Sequence, residues 1–479
     1  MKRYLLPNLI LFTAVFANPN LNINSDEIFL YDNIQASKES KDFILSIKPL
    51  PYYYIFSAGE RLKYFSNYIE KPEIYFKPVN NIDVSVFNTN ADYLLLEGKS
   101  GLSLKKGFNI ILTHDGQISY KDRFVGYYQL REIINKDQKK GDVLRVYAKF
   151  IVGKFSLQIG KDNVNWGHGE YGLLLSNNAY PFPMVKIQTE EPIDFYGKWS
   201  FAVLNSWLQE KRRDTSYPKI LGIRVVYKPK SFLEIGLTKT TMYGGSGRPE
   251  YKSLKDYWEL ITSTKDNVTG SKYDNDSYAS YDIALYLPVK QFDVFKIYYE
   301  KAGTDVAAFW QKEDKGKLSK DFPFIFSLLS PAYNVGVFIS KGKDVFRFEY
   351  VETSKIFYTH HYYHYEGYSY KGYSLGYPYG RNVRSLFLKY TRWIDDKNWM
   401  DLKMSAFKQP AKGYADVKST NYYASLEYGK ILNKNSQIKL LIRYDYKKGV
   451  DKNPLPTQFS IENKKENYLT LGIALNLRF

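Results

Sequence analysis

The chain ends on NYLTLGIALNLRF. From Leu469 to Phe479 every second residue is apolar (Leu469, Leu471, Ile473, Leu475, Leu477, Phe479), while Thr470, Gly472, Ala474, Asn476 and Arg478 fill the other parity with small or polar groups. A strand sends successive side chains to opposite faces, so this segment has one wholly apolar side and one wettable side. Half-buried strands of soluble proteins also alternate, but usually over about 5 to 6 residues. At roughly 3.3 Å per residue this run reaches on the order of 36 Å, which tilted near 45° crosses a bilayer's hydrocarbon. The parity predicts a membrane-spanning strand.

The same division recurs upstream. In QIKLLIRYDYKK, Ile438, Leu440, Ile442 and Tyr444 oppose Lys439, Arg443 and Asp445; in DVFRFEY, Phe346, Phe348 and Tyr350 oppose Arg347 and Glu349; in DVFKIYYE, Phe295, Ile297 and Tyr299 oppose Lys296 and Glu300. Mid-strand charges are costly in a dry sandwich core and comfortable in a polar lumen. No segment after the N-terminus approaches 18 consecutive apolar residues, so spanning helices are excluded and a closed barrel is what can satisfy backbone polar groups in lipid. The negative mean hydropathy, -0.43, fits a wall that shows lipid only alternate residues.

The opening MKRYLLPNLILFTAVFAN carries Lys2 and Arg3, an apolar run from Leu5 to Phe16 and small Ala17. This is the layout of a secretory signal, expected to occupy residues 1–17. Residues 18–70 lack the alternation; Ser57 and Glu60 form a capping box before Leu62, Phe65 and Ile69, and residues 26–41 hold weaker helical periodicity, so a small N-terminal helical plug is expected ahead of a barrel over 71–479. Tight turns are expected at 114–117, 152–154, 227–231 and 395–398, and long external loops at about 244–278, 302–330 and 354–383. The apolar runs number on the order of 16 to 18, and a bacterial single-chain barrel takes an even count.

The absence of cysteine leaves sheet closure and packing to hold an exported chain together. Tyr supplies 46 residues, suited both to membrane-boundary girdles and to stacking on sugar rings. The net charge of +18 points to an anionic neighbour, and export makes nucleic acid the least fitting one.

No catalytic group can be assembled. There is no Gly-x-Ser-x-Gly elbow, and the carboxylate pairs Glu190/Glu191 and Asp395/Asp396 sit in polar stretches expected to be solvated. His360 and His364 are four apart, but Gly367 and Gly372 argue against the helix that would join them as ligands, so neither a metal nor a cofactor is expected. GGSGRP at 244–249 lacks the Lys-Ser/Thr of a phosphate loop and reads as a bend that fixes Arg248 for a fork with a carboxylate.

GKDNVNWGHGEYGLLLSNNAYPFP, residues 160–183, is too rich in Trp, Gly, Asn and Pro for a slack loop. It resembles the hallmark stretch of the Wzi family of outer-membrane capsule-assembly proteins, through Trp166, His168, Asn177 and Asn178. Three more stretches agree in order: LGIRVVYKPKSFLEIGLTKT (Gly222, Arg224, Lys228, Glu234, Gly236), GGSGRP, and YHYEGYSYKGYSLGYPYG (Tyr365, Gly367, Tyr368, Tyr370, Gly372, Gly376). Tyr377 stands where the family often has His.

The resemblance implies an 18-stranded barrel with a plugged periplasmic mouth and a lectin-like, non-catalytic role holding capsular polysaccharide. Tyr243, Arg248, Tyr257 and Trp258 in the first long loop and Trp310 in the second are the candidate glycan contacts. The motif residues Trp166, His168, Asn177 and Asn178 are candidates equally for bracing the barrel interior and for touching glycan, and Tyr368 and Tyr370 are counted with them as motif residues. Expected partners are an acidic capsular or other surface polysaccharide, outer-membrane lipid and lipopolysaccharide, and the barrel-assembly machinery, for which the C-terminal Phe479 resembles the recognition signal. The alternative is a porin or gated channel for anionic solutes, with lumen Lys and Arg setting selectivity.

Overall fold

In the computed structural model the described residues are 34–50, 74–121, 123–262, 270–308, 326–409, 419–433, 435–451 and 461–479. Among them, strands follow one another as antiparallel neighbours: β1 (Ile74–Leu95), β2 (Ser103–Tyr120), β3 (Phe124–Asn135), β4 (Gln138–Val152), β5 (Phe155–Asp162) and β6 (Phe182–Thr189). Next come β7 (Lys198–Trp207), β8 (Lys219–Lys230), β9 (Leu233–Tyr243), β10 (Asp276–Tyr286), β11 (Val294–Ala308) and β12 (Phe326–Lys341). The last six are β13 (Asp344–Thr353), β14 (Arg384–Trp393), β15 (Asn398–Gln409), β16 (Ser419–Asn433), β17 (Ser436–Asp451) and β18 (Ile461–Arg478). A two-residue piece, Ile193–Asp194, continues the ladder of β6 beside β7.

These eighteen strands close when β18 returns to β1, from Asn81 opposite Arg478 to Thr89 opposite Thr470, so no edge is left to be satisfied in lipid. The amide of Phe479 donates to Asn80 O (2.9 Å), which anchors the terminal residue to the first strand.

The parity read from the sequence is the parity of the wall. Leu469, Leu471 and Ile473 face outward, each nearly half exposed, while Thr470 and Asn476 are buried inside. On β17, Leu440, Ile442 and Tyr444 point out and Arg443 and Asp445 point in; on β13, Phe348 points out, Arg347 and Glu349 in. Short connections at 153–154, 231–232, 342–343 and 394–397 gather at the mouth that holds the start of β1 and the end of β18, the periplasmic mouth by the asymmetry of such barrels. The connections 163–181, 208–218, 244–275 and 354–383 leave from the other mouth.

Of the expected turn at 227–231, residues 227–230 belong to β8 and the chain reverses at 231–232. Another expected turn is wholly strand. HDGQ, 114–117, lies within β2, because β1 bulges between Lys77 and Asn81 and brings Pro78 O to where a Cβ on Gly116 would stand, 2.1 Å away. Gly116 marks a close approach rather than a reversal. Part of the expected 302–330 loop is likewise strand, since β11 runs to Ala308 and β12 begins at Phe326.

The signal, the Ser57 helix and Trp310 fall outside the described residues. What is described of the N-terminal region, 34–50, lies in the lumen: Lys38–Asp42 is a 3-10 turn, Ala36 O accepts from Ser340 Oγ (2.9 Å), and Ile47–Lys48 pairs with Asn165–Trp166.

Candidate functional site

Two structures fill the barrel beyond its wall: an internal charge lattice, and a cap of external loops. The lattice is built by the inward parity. Arg224 on β8 makes a two-point bond to Asp282 on β10 (2.7 and 3.0 Å); Lys228 meets Glu234 at 3.3 Å; Lys149 meets Glu190 at 2.7 Å. All six side chains are buried, so each charge depends on its partner. Glu190, expected to be solvated, is therefore an interior residue; it follows β6 directly and keeps the inward phase of that strand.

The segment 163–181 leaves the outer mouth but turns down into the barrel, where it meets both the lattice and the N-terminal segment. His168 Nε2 stands 3.2 Å from Asp282 Oδ1 and 3.7 Å from Glu234 Oε1. Burial pushes the His168 imidazole below its ordinary range, outweighing the two carboxylates, so it is held neutral. Arg347 is the hub: its guanidinium donates to Gln35 Oε1 (2.7 Å) in the N-terminal segment, to His168 O (3.2 Å) and to Glu349 Oε1 (3.2 Å), and lies 3.5 Å from Glu170 Oε2. Burial opposes ionisation of Glu170, yet Lys389 and Arg347 hold it down at about 2. Lys48 donates to Gly169 O (3.1 Å), and burial, reinforced by the charge of Arg347, drops it to about 7. The glycines of WGHGEYG permit this seating: a Cβ on Gly169 would lie 2.3 Å from Asn334 Nδ2, and one on Gly167 2.9 Å from Glu300 Oε2.

The Asn-Asn pair stitches loops together. Asn177 Nδ2 donates to Gly98 O (2.9 Å) and Asn178 Nδ2 to Ser374 O (3.3 Å), while Ser176 N donates to Leu375 O (2.6 Å). Trp166 is buried against Gly222, and Tyr368 packs on Tyr278 (ring centroids 4.7 Å) and stacks on Tyr358. Tyr370 is buried in the same cluster. All six motif residues thus lie inside, away from the external medium. On the far side of the lumen a charged cavity of ≈ 260 Å³ remains, bordered by Asp83, Lys99, Lys403, Glu427 and Arg443.

The cap is formed by 208–218, 244–262, 270–275 and 354–383. Arg212 binds Gly367 O (2.5 Å), Asp214 Oδ2 accepts from Tyr365 N (2.9 Å), Thr215 Oγ1 donates to Tyr362 O (3.0 Å), and Tyr363 Oη donates to Gly244 O (3.0 Å). The bend at Gly244–Gly247 is real, with positive φ at Gly244, Gly245 and Gly247. It sets Arg248 over the Tyr362 ring (3.6 Å) and onto Asp274 O (2.6 Å), a main-chain carbonyl and not the carboxylate expected from the sequence.

Within the cap, α1 (Leu254–Thr262) starts at a reciprocal cap: Ser253 Oγ accepts from Asp256 N (3.1 Å) and Asp256 Oδ2 from Ser253 N (3.0 Å). Ser-x-x-Asp at 253–256 is the local sequence signal for this start. The helix buries Leu260 and points Leu254 (91% exposed), Trp258 (64%) and Ile261 (42%) outward. Tyr257 is half-buried, and Tyr243 is fully buried with its hydroxyl on Asn205 Oδ1 (2.8 Å), leaving no surface for a sugar. Tyr365, the first residue of the Tyr-rich motif, and Arg213, not singled out from the sequence, are exposed beside each other on the cap.

Residues 89–458 match the family model described as capsule assembly protein Wzi. An uncharacterized 55.8 kDa protein in the cps region of Klebsiella pneumoniae is 25% identical over 118 residues, a stretch that takes in 23% of this chain and 23% of that one. Among solved structures, Wzi of Escherichia coli, an outer membrane protein involved in group 1 capsule assembly and a carbohydrate-binding β-barrel, superposes with a TM-score of 0.67 at 15% identity, over 96% of this chain and all of that one (100%). OccK5 (OpdH) of Pseudomonas aeruginosa superposes with a TM-score of 0.50 at 9% identity, over 84% and 98%. At such identities the likeness is one of fold.

Proposed function

Because the chain belongs to the Wzi family of capsule assembly proteins and is an outer-membrane barrel, we propose that it works without catalysis, as a lectin-like anchor that holds an acidic surface polysaccharide on its external loops. The observation that carries this reading is the cap: a hydrogen-bonded loop surface with Trp258 and Tyr365 exposed and with Lys211, Arg213, Lys255 and Lys371 at its surface. Aromatic faces suit the apolar faces of sugar rings, and cations suit uronate or phosphate groups. Weak contacts repeated along one polymer add up to avidity. Arg248 and Tyr257 support this surface from beneath, and Trp310 belongs to the proposal by sequence alone.

The lumen favours an anchor over a porin. Segments 34–50 and 163–181 occupy it, and several of the inward charges lie in close opposite-charge pairs. Purified protein in planar bilayers and on an acidic-glycan array tests both readings. Retention of an acidic polysaccharide with little current supports the anchor; steady ohmic steps with no glycan retained would replace it by the channel. In cells, loss of the gene should release cell-bound capsule while leaving its secretion intact.

A further inference from the structure

Of the five histidines, two converge on one carboxylate in the cap. His360 Nε2 lies 3.3 Å from Asp274 Oδ1, and His361 Nε2 lies 3.1 Å from Asp274 Oδ2. The sequence spacing of His360 and His364 gave no reason to expect a metal; the fold instead brings His361 beside His360, because residues 360–363 form a tight turn closed by Tyr363 N on His360 O (3.1 Å). All three ligand atoms lie within 4.8 Å of one another. A tetrahedral ion with bonds of about 2.0–2.1 Å keeps its donors roughly 3.3 Å apart, so each imidazole already stands at ligand spacing from the carboxylate, and the set as a whole closes on an ion with a small movement of the half-exposed His361.

We propose that Asp274, His360 and His361 form a site for a divalent transition metal of the zinc type, which ties the 244–275 loop to the 354–383 loop. The donor set, two imidazoles and one carboxylate, suits zinc better than calcium or magnesium, which prefer oxygen. The carboxylate is oriented from behind: Gly270 N donates to Asp274 Oδ2 (3.0 Å), and Arg248 grips the main-chain carbonyl of Asp274. Asp274 is buried, His360 nearly so, and His361 is half exposed, so an ion reaches the site from the external medium and keeps an open position for water or a ligand oxygen. Loading requires His360 to give up the long contact from Tyr362 N to its Nδ1 (3.3 Å) and to carry its proton there. The ion would lock the loops that present Trp258 and Tyr365, and it does so whether or not the cap binds glycan.

The test is titration of untagged full-length protein in detergent with Co²⁺ or Zn²⁺, read by calorimetry and by the Co²⁺ visible spectrum. A chain with no cysteine and only five histidines gives little background. One ion per chain is expected, with affinity falling roughly tenfold or more in Asp274→Asn, His360→Gln and His361→Gln and unchanged in His364→Gln. Barrel integrity of each variant is checked by heat-modifiable gel mobility. Should Asp274→Asn misfold, the half-exposed His361→Gln decides. Absence of saturable binding, or equal binding by wild type and His361→Gln, overturns the site.

Discussion

Replacing Arg347 by Ala should open the barrel from within. The side chain joins three bodies: wall strand β13, the N-terminal segment through Gln35, and the inner loop through His168 O. Removing one partner of a buried ion pair costs about 3–5 kcal/mol, because the remaining charge is stranded. Here the stranded acids keep some support. Glu349 retains Tyr298 Oη (2.6 Å) and Glu170 N (2.8 Å), and Glu170 retains Lys389 Nζ at 3.6 Å. The low end, about 3 kcal/mol, is therefore expected, a loss of about two orders of magnitude in the folding equilibrium. Urea unfolding in detergent micelles, followed by tryptophan emission and gel mobility, measures it. Because the lost contacts seat the N-terminal segment and the inner loop and not the sheet, the same variant should also show intermittent conductance in planar bilayers, where the wild type is expected to show little. A loss below about 1 kcal/mol would refute the argument that Arg347 is a buried hub, since exposed pairs are worth only that much. A full loss with a silent bilayer trace would refute its role in holding those segments in the lumen.

Lys48 makes a pH-dependent prediction. Its folded value, about 7, lies below its unfolded one, so the unfolded chain binds more protons between about 7 and 10.4, and the Lys48 contribution to stability rises over that interval and is absent below it. The stability difference between wild type and Lys48→Met should grow with pH by up to about 1.4 kcal/mol per unit across that window; a flat difference would show that Lys48 stays hydrated. Gly169→Ala should destabilise by roughly 1–3 kcal/mol, because its methyl would overlap Asn334 and lift the inner loop. Unfolding titration measures this, and Gly247→Ala, where no atom lies within 4 Å, provides a contrast in which only backbone strain at positive φ operates. Trp258→Ala and Tyr365→Ala should each weaken acidic-polysaccharide binding by several-fold to about tenfold without changing stability, as expected for exposed aromatic contacts. Surface plasmon resonance on immobilised polysaccharide measures it, and an unchanged affinity in both would move the glycan surface elsewhere.

The wall was legible in the sequence because a strand in lipid obeys a local rule. The period of two and the length of the Leu469–Phe479 run are properties of the chain alone, and they required a closed sheet once spanning helices were excluded. The turns at 153–154 and 394–397 followed from local composition as well, whereas the one expected at 227–231 falls later, at 231–232, because Tyr227–Lys230 stay in β8. HDGQ misled for the same reason: a glycine that serves close approach has the same letter as one that serves a turn, and only the bulge at Pro78 distinguishes them. The motifs around Trp166, Arg224 and Tyr368 could be recognised but not placed.

What the sequence could not supply is the pairing of groups far apart in the chain. Which way each charge faces is set by strand phase, but that Arg347 meets Gln35, and that His361 rather than His364 joins His360 at Asp274, depends on segments folding back through the lumen and across the cap. Alternation is local and survives in any register, whereas such contacts exist only after the sheet has closed and fixed the distance between its two mouths. The chain therefore specified a cylinder in a membrane by itself; what lies inside it and on top of it was decided by closure.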